Sequence, residues 1–451
     1  MSTSLILLAA GQGTRMKSDL PKVLHQIAGA PMLVHAIKSG AALDPARIII
    51  VAGHGADAVT AAAQDHEPAA SVVLQTEQLG TGHAVLCARA ALADTTGDAL
   101  ILYGDTPFIQ PETLEKMAAA RAAHDVVILG FEAADPGRYG RLVMDGQTLT
   151  KIVEFKDASD QERTITLCNS GVIMANAATL FSLLDDVSND NASGEYYLTD
   201  IVEIARARGL SATAVTCDEA ETLGVNSREQ LAQAEALFQS RARAEALDNG
   251  VTLTAPDTVH FAHDTYVGRD AIIEQNVVFG PGVTIETGAR IRAFCHLEGC
   301  HVSRGATVGP YARLRPGAEL DENTHVGNFV EIKNATLAEG AKANHLTYIG
   351  DATIGAGTNI GAGTITCNYD GVMKHQTTIG ARAFIGSNTM LVAPVSVGND
   401  AMTATGAVIT KSVPDGALAI ARTDQVNKPG LAVKLFEMLK AKKAKREKGA
   451  S

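Results

Sequence analysis

Tryptophan is absent, and aromatic residues make up only 4 % of the 451 residues. A chain so poor in rings lacks the stacking platforms that hold single-stranded nucleic acid. Positive charge is the minority sign. Lys and Arg number 38 against 50 Asp and Glu, a net of −12, whereas a general nucleic-acid binder is normally basic. No apolar run reaches the length of about 18 residues that a membrane-spanning helix needs, so membrane insertion is not expected. The opening MSTSLILLAAGQGTRM lacks a basic leader and runs into a glycine loop, which is not the pattern of a secretory signal. The six cysteines are scattered, with no C-x-x-C pair and no His/Cys cluster. That excludes a zinc site or a disulfide framework and fits reduced thiols in a cytoplasmic protein. What remains is a globular composition, 46 % hydrophobic and 20 % charged, long enough for a sizeable core. At about 150 residues per domain, two to four domains are allowed.

The chain has two halves with different grammar. Residues 1–228 alternate apolar runs with Ala-rich helical stretches. Strand candidates are Leu5–Ala9, Arg47–Val51, Ser71–Leu74, Ala99–Leu102 and Val126–Phe131, with helical segments such as Met32–Ala42 and Ala84–Ala93 between them. Such alternation predicts a Rossmann-like α/β domain with a mostly parallel sheet and a ligand site at the carboxyl ends of its strands. Residues 229–249 contain no Gly or Pro and predict one linker helix, stopped by Gly250.

From residue 250 to 451 the period becomes six. Apolar residues recur at Phe261, Val267, Ile273, Phe279, Ile285, Ile291 and Leu297, slip by one, and resume at Val302, Val308, Leu314, Leu320, Val326 and Ile332. The beat returns at Ile354 and Ile360, and again from Ile379 through Ile385 and Leu391 to Val397. Four residues after each stands a small or β-branched residue, such as Ala271, Val277, Ala289, Cys295 and Ala306. Neither a helix nor an ordinary strand has this period. A parallel β-helix does: one short strand per six residues, the apolar residue on the axis, the small one at the corner. Three faces make a turn of eighteen residues. The repeat breaks at Tyr369–Gln376, predicting a projecting loop. The cationic stretch Leu431–Lys448 reads as a solvated, partly disordered tail.

Chemistry concentrates in a few places. Leu8–Met16 (LAAGQGTRM) follows a strand directly, so Gly11 and Gly13 let backbone N–H groups approach a phosphate, and Arg15 can pair with phosphate oxygens. Met16 stands where a dinucleotide fingerprint needs glycine, and no GKS or GKT follows to make a P-loop. With Leu20–Leu24 (LPKVL), Gln75, Gln78–Gly82, Tyr103–Asp105, Tyr139–Arg141, Glu154, Asn169–Gly171 and Gly224–Asn226, this loop resembles the signature of the sugar-nucleotide pyrophosphorylases. Joined to a hexapeptide coil, the set is similar to the bifunctional bacterial family that makes UDP-N-acetylglucosamine, a precursor of cell wall and lipopolysaccharide.

The resemblance implies a left-handed β-helix for the coil and two activities. One is uridylyl transfer from UTP to N-acetylglucosamine-1-phosphate with release of pyrophosphate. The other is acetyl transfer from acetyl-CoA to glucosamine-1-phosphate. For the first it implies Mg²⁺ on Asp105 and Asn226, with triphosphate held at Leu8, Ala9, Ala10, Gly11, Arg15 and Lys22. Gln75, Gly80 and Thr81 match uracil-reading positions, Tyr103 belongs to the same site, and Gly140, Glu154 and Asn169 match sugar-binding ones. For the second, His345 matches the general base and Glu331 the acid that orients it. Arg315 and Lys333 match the sugar-phosphate site, and Tyr348 and Asn359 match sugar contacts. Asn368, Tyr369, Ala362, Ser387, Thr405 and Arg422 match acetyl-CoA contacts. Thr405 stands where alanine is expected, and Phe155 where a histidine is common. The family forms homotrimers. Two other readings share the architecture: a single-activity sugar-1-phosphate nucleotidyltransferase with a structural coil, and a non-catalytic assembly subunit. The first would lack the His345, Glu331, Arg315 and Lys333 set, and the second would have lost Arg15, Lys22 or Asp105.

Overall fold

A computed structural model describes residues 2–448; Met1 and residues 449–451 lie outside the described residues. The chain divides into two compact units, Met1–Ala246 with His260–Thr265, and Leu247–Val259 with Tyr266–Ser451.

The first unit is built on a nine-stranded sheet. Its strands are β1 (Thr3–Ala9), β2 (Arg47–Ala52), β3 (Ser71–Leu74), β4 (Asp98–Tyr103), β5 (Val126–Glu132), β6 (Arg141–Asp145), β7 (Thr148–Val153), β8 (Leu167–Asn176) and β9 (Ala212–Cys217). Across the sheet they run β9-β5-β8-β4-β1-β2-β3, with β6 and β7 as a hairpin off β8. β1 lies parallel between β4 and β2, with Leu7 beside Leu102 and Ile50. Its seven residues are all buried, which is why the run reads as continuously apolar rather than alternating. Leu5 and Leu7 feed the core on one face of the sheet, and Ile6 and Leu8 the core on the other. The five expected strands are all present. β8 is the departure from a parallel sheet, running antiparallel to both β4 and β5.

The helix Arg228–Asp248 is continuous and ends two residues before Gly250. It does not stand free as a linker. Ala234 is fully buried in a cluster with Ile27, Met32, Phe108 and Val225 of the first unit. The buried Gln239 grips the backbone of the returning segment, its Nε2 donating to Phe261 O (2.7 Å) and its Oε1 accepting from Phe261 N (2.8 Å).

The second unit is a left-handed parallel β-helix of twenty-two strands among the described residues, all of two or three residues except His325–Leu337 and Lys342–Ile354; they pair, in general, with the strand three further along. Val267 lies beside Ile285 and Ile273 beside Ile291, so the first coils advance by eighteen residues. Ile285 then lies beside Val302 and Ile291 beside Val308, a seventeen-residue step that explains the slip after Leu297. A second short step places Leu337 beside Leu320, Ala343 beside Val326 and Ile349 beside Ile332. The axis is therefore filled without a gap through the stretch where the sequence beat fades. The expected loop is there: Tyr369 bridges Lys374 and leaves Val372 87 % exposed. The tail differs from expectation. Leu431–Lys448 is one helix, because eighteen residues without Gly or Pro, rich in Ala, Leu, Lys and Glu, favour it. No helix among the described residues is long and apolar enough to cross a membrane.

Candidate active sites

The carboxyl ends of β1 and β4 frame a cavity of about 320 Å³ in the first unit. Leu8, Ala9, Ala10 and Gly11 form one wall, with Lys22 and Asp105 beside them. Gln75, Gly80, Thr81 and Tyr103 form the other. Gln78 Nε2 reaches across to donate to Ala10 O (2.8 Å), and within the second wall Gln75 Nε2 donates to Gly80 O (3.1 Å). Gln75 is buried, and its Nε2 also lies 3.1 Å from His83 Nδ1. The Tyr103 phenol is held protonated far above its ordinary range by burial and by Glu154 and Asp105. Arg15 sits exposed on the 3₁₀ turn Thr14–Met16 and is not part of the cavity lining.

The cavity floor carries an ionic knot. The Lys22 ammonium is ion-paired with Asp105 Oδ2 and donates to Asn226 Oδ1 at 2.9 Å. Two oxygens some 120 residues apart in sequence thus converge on one cation. A carboxylate and an amide oxygen are the hard donors that Mg²⁺ takes alongside phosphate oxygens and water, so the pair fits that ion. Among the described residues no cluster of three or more His, Cys, Asp or Glu offers a competing metal centre.

Beside it opens a second cavity of about 470 Å³, sharing Glu195 with the first and lined by Glu154 and Tyr197. Gly140 and Asn169 lie outside its lining, joined by the Asn169 N–H to Gly140 O bond (2.9 Å), and a Cβ on Gly140 would stand 3.5 Å from the Glu154 carboxylate. Thr199 Oγ1 donates to Glu154 Oε1 (3.2 Å), while burial raises the Glu154 carboxyl above the usual range. Asp200 is pushed up to about 6 by burial and then by Glu154.

In the second unit, register assembles what sequence scatters. Val326, Ala343, Ile360, Ile385 and Thr403 are successive partners on one face of the coil. Two residues beyond each stand Asn328, His345, Ala362, Ser387 and Thr405, so these five form one column along one corner. His345 is exposed, and its Nδ1 lies 2.9 Å from Asn328 Oδ1. An amide oxygen only accepts, so Nδ1 carries the hydrogen and Nε2 keeps a free lone pair. Arg422 caps the column, its Nη1 donating to Thr405 O (3.2 Å). Next to it on the same corner, Phe294, Tyr311 and Phe329 stack at 4.9 and 5.4 Å, all about half exposed.

A second column follows the next strand. Arg315 and Lys333 lie there, with Glu331 and Tyr348 side by side on the strand face between the columns. Glu331 does not serve His345 within the chain. Its carboxylate takes Arg315 Nη1 at 2.9 Å, because the strand aims it outward opposite Tyr348 while His345 sits on the preceding corner. Asn328, which no motif had flagged, is the imidazole's partner. Lys374, also unflagged, reaches from the loop to Lys333, and the contact lowers the Lys333 ammonium below its ordinary range with Arg315 adding to the effect. Three cations gathered so closely suit an anion. Asn368 is buried and ion-dipole bonded to Asp351 Oδ2, whose other oxygen takes Asn334 Nδ2 at 2.6 Å. A Cβ at Gly350 would meet the Tyr348 hydroxyl and lie 2.8 Å from Asn368 Nδ2, so any larger residue there displaces both side chains. Tyr369 is exposed at the start of the loop, and Asn359 is half-buried on the strand beside Lys342.

Comparison with known proteins follows the same division. Residues 5–167 match the MobA-like NTP transferase domain, and residues 376–411 the hexapeptide repeat of succinyl-transferase. The chain is 73 % identical over 449 residues to the bifunctional protein GlmU of Ruegeria sp. (strain TM1040), covering all of both chains. It is 72 % identical over 448 residues to that of Ruegeria pomeroyi, covering 99 % of this chain and all of the relative.

Proposed function

The chain belongs to the bifunctional GlmU family, and we propose that residues 1–228 carry its uridylyl transfer and the coil of residues 250–451 its acetyl transfer. The protein is a bifunctional transferase that makes UDP-N-acetylglucosamine, first acetylating glucosamine-1-phosphate and then uridylylating the product. The observation that carries this reading is the single corner column in which His345 stands in line with Ala362, Ser387 and Thr405.

In the first unit, the Gly11 loop and Lys22 neutralise and align the triphosphate. Gln75, Gly80 and Thr81 take the uracil edge, and Glu154, Asn169 and Gly140 hold the sugar. The attacking sugar-phosphate oxygen needs in-line placement and charge neutralisation, not a covalent nucleophile. Arg15 joins from its exposed turn. Asp105 and Asn226 would hold Mg²⁺, which when bound supplies further neutralisation of the phosphates.

In the second unit, the Nε2 lone pair of His345 takes a proton from the amine of glucosamine-1-phosphate as the amine attacks the acetyl-CoA thioester. The thiol of CoA leaves and no acyl-enzyme forms. Arg315, Lys333 and Lys374 bind the sugar phosphate, Tyr348 and Asn359 the sugar, and Asn368 with Tyr369 the reacting end of the thioester. Ala362 N–H faces the developing oxyanion, and Ser387, Thr405 and Arg422 hold CoA.

Arg315 and Lys333 lie on a different column from His345, and we propose that a second chain completes the site. A homotrimer supplies it, the base column of one chain meeting the phosphate column of its neighbour. In that arrangement the exposed Phe294–Tyr311–Phe329 stack, which would otherwise face water, gains cover. The six free cysteines support a cytoplasmic setting.

The test is a paired assay on His345→Ala and Asp105→Ala. The first variant should lose acetyl transfer and keep uridylyl transfer; the second should do the reverse. Loss of both activities in either folded variant would defeat the division.

A further inference from the structure

Lys22 has been assigned to the triphosphate, yet in the structure its charge is committed elsewhere. The ammonium is ion-paired with Asp105 and donates to Asn226 Oδ1 at 2.9 Å. We propose that Lys22 is a resident counter-cation that keeps a divalent metal off the Asp105–Asn226 pair until a nucleoside triphosphate draws the lysine away. The proposal rests on reading that pair as the metal ligands.

Three observations support the exchange. First, the backbones that carry the two ligand side chains are joined without Lys22. Val225 N–H donates to the main-chain Asp105 O (3.0 Å), and Asn226 N–H is fixed by Gln230 Oε1 (2.8 Å). The two segments therefore stay side by side when the ammonium departs. Second, Lys22 is anchored at its root and free at its tip. Gly13, at φ 62°, packs so tightly on it that a Cβ there would lie 2.6 Å from Lys22 Cβ. The root is thus held in the turn Lys22–Leu24, while the four-carbon stem retains its rotatable bonds. Third, the side chain lines the same cavity as Gly11, so phosphate oxygens bound at the glycine loop lie within its sweep. One carboxylate holds the ammonium; a triphosphate offers several negative oxygens.

The electrostatics set the order of loading. With Lys22 in place, a divalent ion entering between Asp105 and Asn226 would stand a few ångström from a positive ammonium, which repels it. Metal and nucleotide then arrive together, and the empty enzyme does not collect free divalent cations.

The measurement is Mn²⁺ binding to the full chain without nucleotide, followed by the electron paramagnetic resonance signal of the free ion. Lys22→Met should bind Mn²⁺ roughly tenfold or more tightly than the wild type, since the repulsion is gone and the oxygens remain. Lys22→Met with Asp105→Asn should lose that gain. If circular dichroism shows Lys22→Met to be unfolded, Lys22→Gln carries the same comparison. Equal Mn²⁺ affinity in wild type and the neutral variant overturns the proposal. A second arm adds UTP. If Asp105→Asn then retains Mn²⁺ as well as wild type, Asp105 is no metal ligand and the underlying reading fails with it. If Asp105→Asn weakens Mn²⁺ retention while the nucleotide-free affinities match, only the counter-cation role is refuted.

Discussion

Replacing Asn328 by Ala isolates what orientation contributes to the acetyl-transfer base. In the wild type, the Asn328 amide oxygen fixes His345 in the tautomer that leaves Nε2 free, over a 2.9 Å contact. The imidazole is exposed, so its backbone alone does not hold the ring. A hydrogen bond of this kind is worth about 0.5–1.5 kcal/mol. Lost from the transition state, that is about 2- to 13-fold in rate. A positioned general base contributes about 10²–10⁴-fold, so Asn328→Ala should cost far less than His345→Ala. The assay is CoA thiol release with glucosamine-1-phosphate and acetyl-CoA, with kcat and KM separated. The loss should fall on kcat and leave both KM values near the wild type. Asn328→Asp keeps an acceptor for Nδ1–H and adds a negative charge that favours the imidazolium. It should restore orientation and move the acid limb of the pH–rate profile to higher pH. Full activity in Asn328→Ala would refute the orienting role. A loss as large as that of His345→Ala, or one confined to KM, would mean that Asn328 touches substrate instead.

Other expectations follow from the same geometry. Lys374→Ala should raise the KM for glucosamine-1-phosphate several-fold in the acetyl assay and leave that for acetyl-CoA unchanged; steady-state kinetics with each substrate varied decides it. Gly350→Ala should abolish most acetyl transfer through the Tyr348 and Asn368 side chains, while uridylyl transfer persists. Asp200 titrates near 6 in the folded chain because burial and Glu154 disfavour its charge. A carboxyl raised in the folded state binds its proton more tightly there, so stability falls as pH rises from the ordinary carboxyl range through about 6. Asp200→Asn should therefore raise the melting temperature of the first unit at pH 7.5 and raise it by much less at pH 4.5; a pH-independent difference in calorimetry would contradict this. Leu314→Ala, which empties a fully buried position on the coil axis, should cost about 2–5 kcal/mol in chemical denaturation.

The six-residue beat was legible because each apolar residue meets the axis through a fixed geometry, independent of distant partners. It faded between Ile332 and Ile354 for two physical reasons. The chain takes five-residue steps there, from Ile332 to Leu337 and from Ile349 to Ile354, and it fills one axial position with the small Ala343. β8 escaped notice as a separate strand because nothing local distinguishes an antiparallel insertion from its parallel neighbours. The helix of residues 228–248 read as a connector because its composition shows helicity without showing that Ala234 and Gln239 are buried.

Local composition and spacing, acting through backbone geometry, determined the two architectures, the glycine loop after β1 and the identity of most groups that carry chemistry. Which of those groups meet was decided only by tertiary register. Coil steps of seventeen, eighteen and twenty-five residues bring Asn328, His345, Ala362, Ser387 and Thr405 into one column. Chain reversal across the sheet sets Lys22 between Asp105 and Asn226. Hydrogen bonds and ion pairs act over about 3 Å, a distance that a linear sequence does not encode once partners lie many residues apart.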